Sequence, residues 1–399
     1  MPVNLTQAHE EWATRPSDER FWSLAEMLEA SDQSRMRSEE TEFSFAESGF
    51  NHDEGGILFE ARINSSDLSR NRVNNYAFGQ LSRTFGAPAD YLRKLPARLA
   101  AQCLNKGMAD WVADKGDRTR HGLFTHKPNG ERVMRAATSD RYVRVWNSEI
   151  VSRLGELESS GWVVPSARPT DDEDESRIRI ATQGDVVDYG GDSNLTVNVG
   201  DRIGPAGLYA SDHDMFAFMI HPEIEITDGM SPHGLRRGTM IRQSEVGDCA
   251  IWKLDFLFNT VCGNHIVWGA ENVRESRVVH TGNSVNERWG SMLEEMENYT
   301  QSSAQEQEQK ITRAMNTKLG QDREEVTERL YQKRWLGKRA STAALDLAER
   351  YESVHGDPLS VWGVVQGITR LSQSAKFADK RAKLDGKAGK ILAEVIHLN

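Results

Sequence analysis

Cysteine is scarce. The 399 residues hold three, Cys103, Cys249 and Cys262, an odd number without the spacing of a disulfide framework, which points to a reducing, cytoplasmic setting. Long apolar runs are missing: none approaches the ~18 residues of a membrane span, so no membrane partner is expected. The first residues, Met1 to Trp12, lack the basic-then-apolar order of a secretory signal. No phosphate-cradling Gly-x-x-x-x-Gly-Lys loop and no Gly-x-Gly-x-x-Gly fingerprint follows a strand, which disfavours an NTPase or a dinucleotide enzyme. Ser244-Glu245-Val246-Gly247 is not framed as Gly-x-Ser-x-Gly, so it reads as no nucleophile elbow. No repeat of fixed period is present, and no cofactor or metal is expected.

What is there allows a sizeable core: 38% of residues are hydrophobic and 27% are charged. A mean hydropathy of -0.61 points to exposed helical arms or loops. The net charge of -11 is uneven. The run Asp171-Asp172-Glu173-Asp174-Glu175 and the first fifty residues carry much of the acidity, which disfavours a protein that coats nucleic acid uniformly but leaves room for a local basic groove.

The apolar patterning predicts an α+β fold with a mixed, mainly antiparallel sheet core, flanking helices and a long helical C-terminal part. Three regions are expected: an acidic helical segment at 1–50, an α+β core at 51–285 and a helical region at 286–399. In the first, Ser17 is the candidate helix cap, with Phe21, Leu24 and Leu28 on one face. Residues 57–63 alternate as a strand. Asn74 to Leu104 reads as two short helices broken at Gly86-Ala87-Pro88. The turn Pro128-Asn129-Gly130 predicts a hairpin, continued by Ser139 to Trp146 and then a helix over 147–160. The least charged, most Gly-punctuated stretch, Gly204 to Gly269, reads as a strand around Phe216, Phe218 and Ile220, and as a helix where Ile251, Leu254, Leu257, Phe258 and Val261 recur. Another helix opens near Pro358, and Lys376 to Lys390 forms a basic helical tail.

Three constellations are candidates for chemistry. Cys249, Cys262, His265 and His280 invite a zinc reading, but zinc needs about four ligands converging on one point, and core cysteines are the commoner outcome. Asp212-His213-Asp214 with His221 offers an acid/base or cation site, though such residues before a strand are usually loop residues. The basic-aromatic meander is the most pointed. Phe124, Arg132, Arg135, Arg141, Tyr142, Arg144 and Trp146 crowd one region, and Arg236, Arg237 and Arg242 extend it. Cations for phosphates beside flat rings for bases are what a single-stranded nucleic acid needs. The competing outcome is that these arginines pair with carboxylates of the same chain. The basic residues Lys333, Arg334, Lys338 and Arg339 read either as an interaction surface or as a solvated helix face.

Several motifs, in order, resemble the phage/plasmid-like protein family known as the uncharacterised domain 932 family. They are Pro88-Ala89-Asp90-Tyr91-Leu92 with Leu95-Pro96 and Leu104-Asn105; Ser139-Asp140-Arg141-Tyr142; Gln243-Ser244-Glu245-Val246-Gly247; Val261-Cys262-Gly263-Asn264; His280-Thr281-Gly282; and Trp362-Gly363-Val364-Val365. His265 stands where that family usually has Gly, and Arg242 where it often has a small polar residue. The resemblance spans about residues 70–395. It implies a mobile-element protein of the bacterial cytoplasm, acting in nucleic-acid handling or against host defence.

Residues and resemblance together predict a non-enzymatic protein of replication or recombination that binds or anneals single-stranded DNA, as a homo-oligomer. The alternatives are a protein-binding antagonist of a host nuclease or defence system, whose acidic run mimics nucleic acid, and a metal-dependent hydrolase using Asp212, His213, Asp214 or His221.

Overall fold

A tight turn seeds the first sheet. Gly130 takes φ 83°, the Asn129 side chain accepts from the Glu131 amide at 3.0 Å, and the flanking strands pair as the Pro-Asn-Gly sequence predicts. The computed structural model describes residues 17–63, 67–164, 179–180, 182, 199–200, 202–203, 207–226, 235–259, 265–267, 276–301, 304–350, 356–373, 384, 387–392 and 394–395. Over these the chain is α+β, with mainly antiparallel sheets and flanking helices.

The early strands are β1 (Arg20–Phe21), β2 (Ser38–Ser44), β3 (Ser48–Asp53), β4 (Gly56–Ile63), β5 (Asp67–Val73), β6 (Thr119–His126) and β7 (Arg132–Ser139). Then come β8 (Arg179–Ile180), β9 (Arg202–Ile203), β10 (Leu208–Ala210), β11 (Met215–Ile226), β12 (Leu235–Gln243), β13 (Ile251–Asn259), β14 (His265–Val267) and β15 (Ser276–Val278). The helices are α1 (Leu24–Met36), α2 (Asn75–Thr84), α3 (Ala89–Leu92), α4 (Ala97–Lys115), α5 (Asn147–Glu158), α6 (Val285–Gln301), α7 (Ala304–Asn316), α8 (Arg323–Gln332), α9 (Lys338–Arg350) and α10 (Val361–Gln373).

The first sheet has the order β2-β6-β7-β5-β4-β3, antiparallel except where β5 meets β7. One face carries Phe43, Phe50, Phe59, Phe124 and Met134, against Phe78 and Leu81 of α2 and Leu104 and Met108 of α4. Asn105 of α4 closes the free edge at β3: its side chain accepts from the Phe50 amide at 2.7 Å and donates to the Phe50 carbonyl at 2.8 Å. An edge strand so occupied is a poor template for pairing with another chain.

The second sheet runs β1-β10-β11-β12-β13-β14, with β15 also on β13. Met215, Ala217 and Met219 face α1, α5 and α6. Phe216, Phe218 and Ile220 alternate onto the other face, with Tyr209 and Met240. A third apolar cluster joins α7 through α10, centred on Leu330, Leu345, Trp362 and Ile368.

Three expectations are corrected. The acidic segment at 1–50, expected to be helical, is in its described part built into both sheets through β1, β2 and β3, with one α-helix between. That helix is capped by Ser23, not Ser17: the Ser23 hydroxyl accepts from the Glu26 amide and Glu26 accepts from the Trp22 amide, so the ends satisfy each other. Residues 251–259 are a strand rather than a helix. Ile251, Lys253 and Asp255 on one face and Trp252 and Leu254 on the other are all largely buried, and a strand buried on both faces loses its period of two. Of the turn or strand expected for Ser139 to Trp146, the structure has the turn: the chain leaves the first sheet there and bridges at Tyr142 to Thr281. The acidic run at 171–175, Cys262 and most of the basic tail at 376–390 lie outside the described residues.

Candidate nucleic-acid interface

The expected meander residues converge on a seam between the two sheets. The first sheet contributes the start of α2, β7 and the segment after it. The second contributes the β10–β11 turn and the end of β12, where Gln243 to Gly247 lies against the first sheet. Its Val246 is buried with Leu123 and Ala136, packed by Tyr76 and Trp146. This cover decides where the arginines go. A hairpin in a one-sided sheet turns one face to water; here β7 is buried on both faces.

Arg135 is buried, ion-pairs with Glu245 at 3.1 Å and donates to the Asp212 carbonyl at 2.9 Å. Arg144 is buried, pairs with Glu40 at 3.1 Å and donates to the Glu245 carbonyl. The other Glu245 oxygen accepts from the Asn147 amide at 2.8 Å. Arg132 lies 4.1 Å over the Phe124 ring and 2.9 Å from Glu39; burial lowers its pKa, partly offset by Glu39. Phe124 itself is wholly in the core. Tyr142 donates its hydroxyl to the Ser244 carbonyl at 2.8 Å and stacks on His280 with centroids 5.0 Å apart. Trp146 is half-buried beneath Arg35 and Arg144.

The arginines of the second sheet follow suit. Arg237 is fully buried, donates to the Tyr299 carbonyl and lies over the Tyr299 ring; burial depresses its pKa. Arg242 pairs with the buried Asp214 at 3.2 Å. Arg236 is half-buried on β12 opposite Glu225 in register. Of the ten residues, Arg141 alone is exposed, and it makes no ion pair among the described residues. The strip expected to face a polyanion is therefore, for Phe124, Arg132, Arg135, Arg144 and Arg237, an internal network. A guanidinium must find acceptors wherever it is buried, and Glu39, Glu40, Glu245 and several carbonyls supply them.

The expected acid/base cluster sits at the same seam. His213 lies 3.0 Å from Asp212 and 3.5 Å from Asp214 and stacks on Tyr76. The bond to Asp212 raises the His213 pKa and lowers that of Asp212. Asn74 and Ser211 hold the two aspartates, at 2.8 and 2.7 Å. Burial drives the neighbouring groups away from neutrality: Cys249 up to about 12, His280 down to about 4, Tyr142 upward. A thiol and a phenol held protonated and an imidazole held neutral are poorly poised for proton transfer. His221 is apart from them, on β11 of the second sheet, bonded to the Ser160 carbonyl at 2.9 Å. Among the described residues no group of three or more His, Cys, Asp or Glu could hold a metal ion.

Unconsumed cations are found elsewhere, at the corner between α8 and α9. Asp322 caps α8 through the Glu325 amide at 2.9 Å. The helix ends in a double-bonded turn: the Trp335 amide reaches the Leu330 carbonyl and the Arg334 amide reaches the Tyr331 carbonyl, each at 3.0 Å. Such a turn needs a left-handed residue, a place normally taken by glycine. Here it is Arg334 at φ 56°, the one positive-φ residue other than glycine among those described. Trp335 and Leu336 are drawn into the core, while Tyr331, Lys333, Arg334, Lys338 and Arg339 remain exposed. Lys338 pairs with Glu328 at 2.7 Å and lies 5.0 Å over the Tyr331 ring; Lys333, Arg334 and Arg339 have no ion pair among the described residues. The four cations were visible in the sequence. Tyr331 was missed; its place in a helix ending without glycine was the available signal.

No protein-family model matches the chain, and no curated protein and no solved structure matches it. No helix among the described residues is long and apolar enough to cross a membrane.

Proposed function

We propose that the chain is a non-enzymatic protein that binds single-stranded nucleic acid, and that the α8–α9 corner is the contact surface. One observation carries this reading: an arginine occupies the left-handed position where glycine is strain-free. A strained residue persists where the surroundings over-determine it, and such residues cluster at functional sites. The strain points a cation outward beside three others and one exposed ring. Phosphates meet the cations, and a base stacks on Tyr331. In line with the motif resemblance, the setting is replication or recombination of a phage or plasmid in the bacterial cytoplasm, in an oligomer.

The test is fluorescence anisotropy of labelled oligothymidylate across a salt series from about 50 to 200 mM. Affinity falls steeply with salt in the unaltered chain, and the combined Lys333→Glu, Arg334→Glu and Arg339→Glu chain binds far more weakly with a shallower salt slope. No binding at low salt, or an affinity indifferent to salt, removes the proposal.

A further inference from the structure

A second helix corner, between α3 and α4, has a different chemistry. Pro88 and Pro96 bracket it as the N-caps of α3 and α4. Between them Leu92 is driven into the first core and Leu95 packs against it. That leaves Tyr91 60% and Leu99 40% exposed, two of the few large apolar side chains at the surface of the described residues. Scattered apolar residues are ordinary, but these two flank one short connection between helices, Tyr91 in α3 and Leu99 in α4. Arg93 is spent locally on Asn75 and Asp90. Lys94 and Arg98 are exposed and make no ion pair among the described residues.

We infer that this corner docks an acidic peptide segment of a partner protein, one carrying an aromatic or large aliphatic residue among carboxylates. Tyr91 and Leu99 receive the apolar residue, and Lys94 and Arg98 receive the carboxylates. Tyrosine and arginine are among the residues that most often dominate such contacts. Charge complementarity selects the occupant: Lys94 and Arg98 are exposed cations on a chain of net charge -11, so carboxylates are drawn to them while most of the surface repels an acidic partner. Nucleic acid suits it less well, because the corner offers two free cations rather than a row and half its apolar surface is aliphatic, with no π face for a base. The inference does not rest on nucleic-acid binding at α8–α9.

The experiment uses the full chain and a fluorescein-labelled peptide of Asp residues surrounding one Phe, with an Ala-for-Phe peptide beside it. The Phe peptide binds, the Ala peptide binds at least about tenfold more weakly, and Tyr91→Ser with Leu99→Ser or Lys94→Glu with Arg98→Glu each weakens the Phe peptide by about tenfold or more. All four side chains are exposed, so unchanged thermal melting confirms that the variants fold. The Lys333→Glu, Arg334→Glu, Arg339→Glu chain binds the peptide as the unaltered chain does. Three results overturn the inference: no peptide binding; loss of oligonucleotide affinity in Lys94→Glu with Arg98→Glu, which makes the corner part of a nucleic-acid surface; or concentration-dependent self-association abolished by Tyr91→Ser with Leu99→Ser, which makes the occupant a second copy.

Discussion

Arginine meets opposite fates in two regions of this molecule. At the seam, Arg135 and Arg144 are buried and bound to Glu245, Glu40 and backbone carbonyls. At the α8–α9 corner, Arg334 and Arg339 stand in water and make no ion pair among the described residues. The side chain is the same; what differs is whether another segment closes over it. The Gln243–Gly247 turn covers β7, and burial without partners costs a charged group far more than exposure does. A cluster of cations in a sequence therefore reports a function only where nothing folds onto it.

The largest expected effect separates the two regions by stability. Glu245→Ala leaves Arg135 buried without its carboxylate and the Asn147 amide without its acceptor, and is expected to remove about 3–5 kcal/mol in urea unfolding. A loss below about 1 kcal/mol, accompanied by stronger oligonucleotide binding, breaks the comparison, because the seam arginines are then available to a ligand.

Next in size is an acid effect confined to the seam. His280 is almost fully buried against Tyr142 and Arg144, and its pKa is held down to about 4 from an ordinary 6.5. A depressed histidine contributes stability that is fully present above its unfolded value and is lost as pH falls toward the folded one. The unfolded chain binds the proton first. Stability is expected to drop by roughly 3 kcal/mol between about pH 6.5 and 4, and His280→Asn removes most of that slope. The lowered Asp212 adds a loss in the same direction at lower pH. The raised His213 acts oppositely: its stabilisation is present in acid and lost as pH rises through its elevated value. A denaturation midpoint flat across this range contradicts the assignment.

Reversing Lys333, Arg334 and Arg339 to glutamate is the converse experiment. All three are exposed, and the expected change in unfolding free energy is within about 0.5 kcal/mol per site. Every cation withdrawn from a phosphate shallows the logarithmic salt slope by about 0.7 for a single strand. A large stability loss without a binding effect assigns the corner to the scaffold.

Much of the scaffold was legible in advance. Pro128-Asn129-Gly130 names its own hairpin, Gly86-Ala87-Pro88 breaks the helices between α2 and α3, and Ile150, Val151, Leu154 and Leu157 mark one face of α5. These signals are local, set by φ preferences and by the spacing of side chains along a single element. What covers an element is not local. Arg135 and its partner Glu245 are 110 positions apart, and alternation along β7 says which side chains share a face but not what lies over it. The strand at 251–259 was obscured for the same reason. The α8–α9 corner was half legible: the basic run showed, but the turn is ordinarily recognised by the glycine that Arg334 displaces.

That displacement gives the smallest effect and the sharpest one. Arg334→Gly relieves a left-handed backbone that an L side chain adopts at a cost of roughly 1–2 kcal/mol. Against this stands the extra freedom glycine has in the unfolded chain, which offsets part of the gain. The net expectation is a chain more stable by up to about 1 kcal/mol, in which the Leu330–Trp335 turn is kept and one cation is gone. Oligonucleotide affinity then falls while stability rises, opposite in sign to Glu245→Ala, which loses stability with affinity per folded molecule unchanged. If Arg334→Gly raises stability and leaves affinity and salt slope untouched, the strained arginine displays its charge to no polyanion, and the corner loses its claim as the interface.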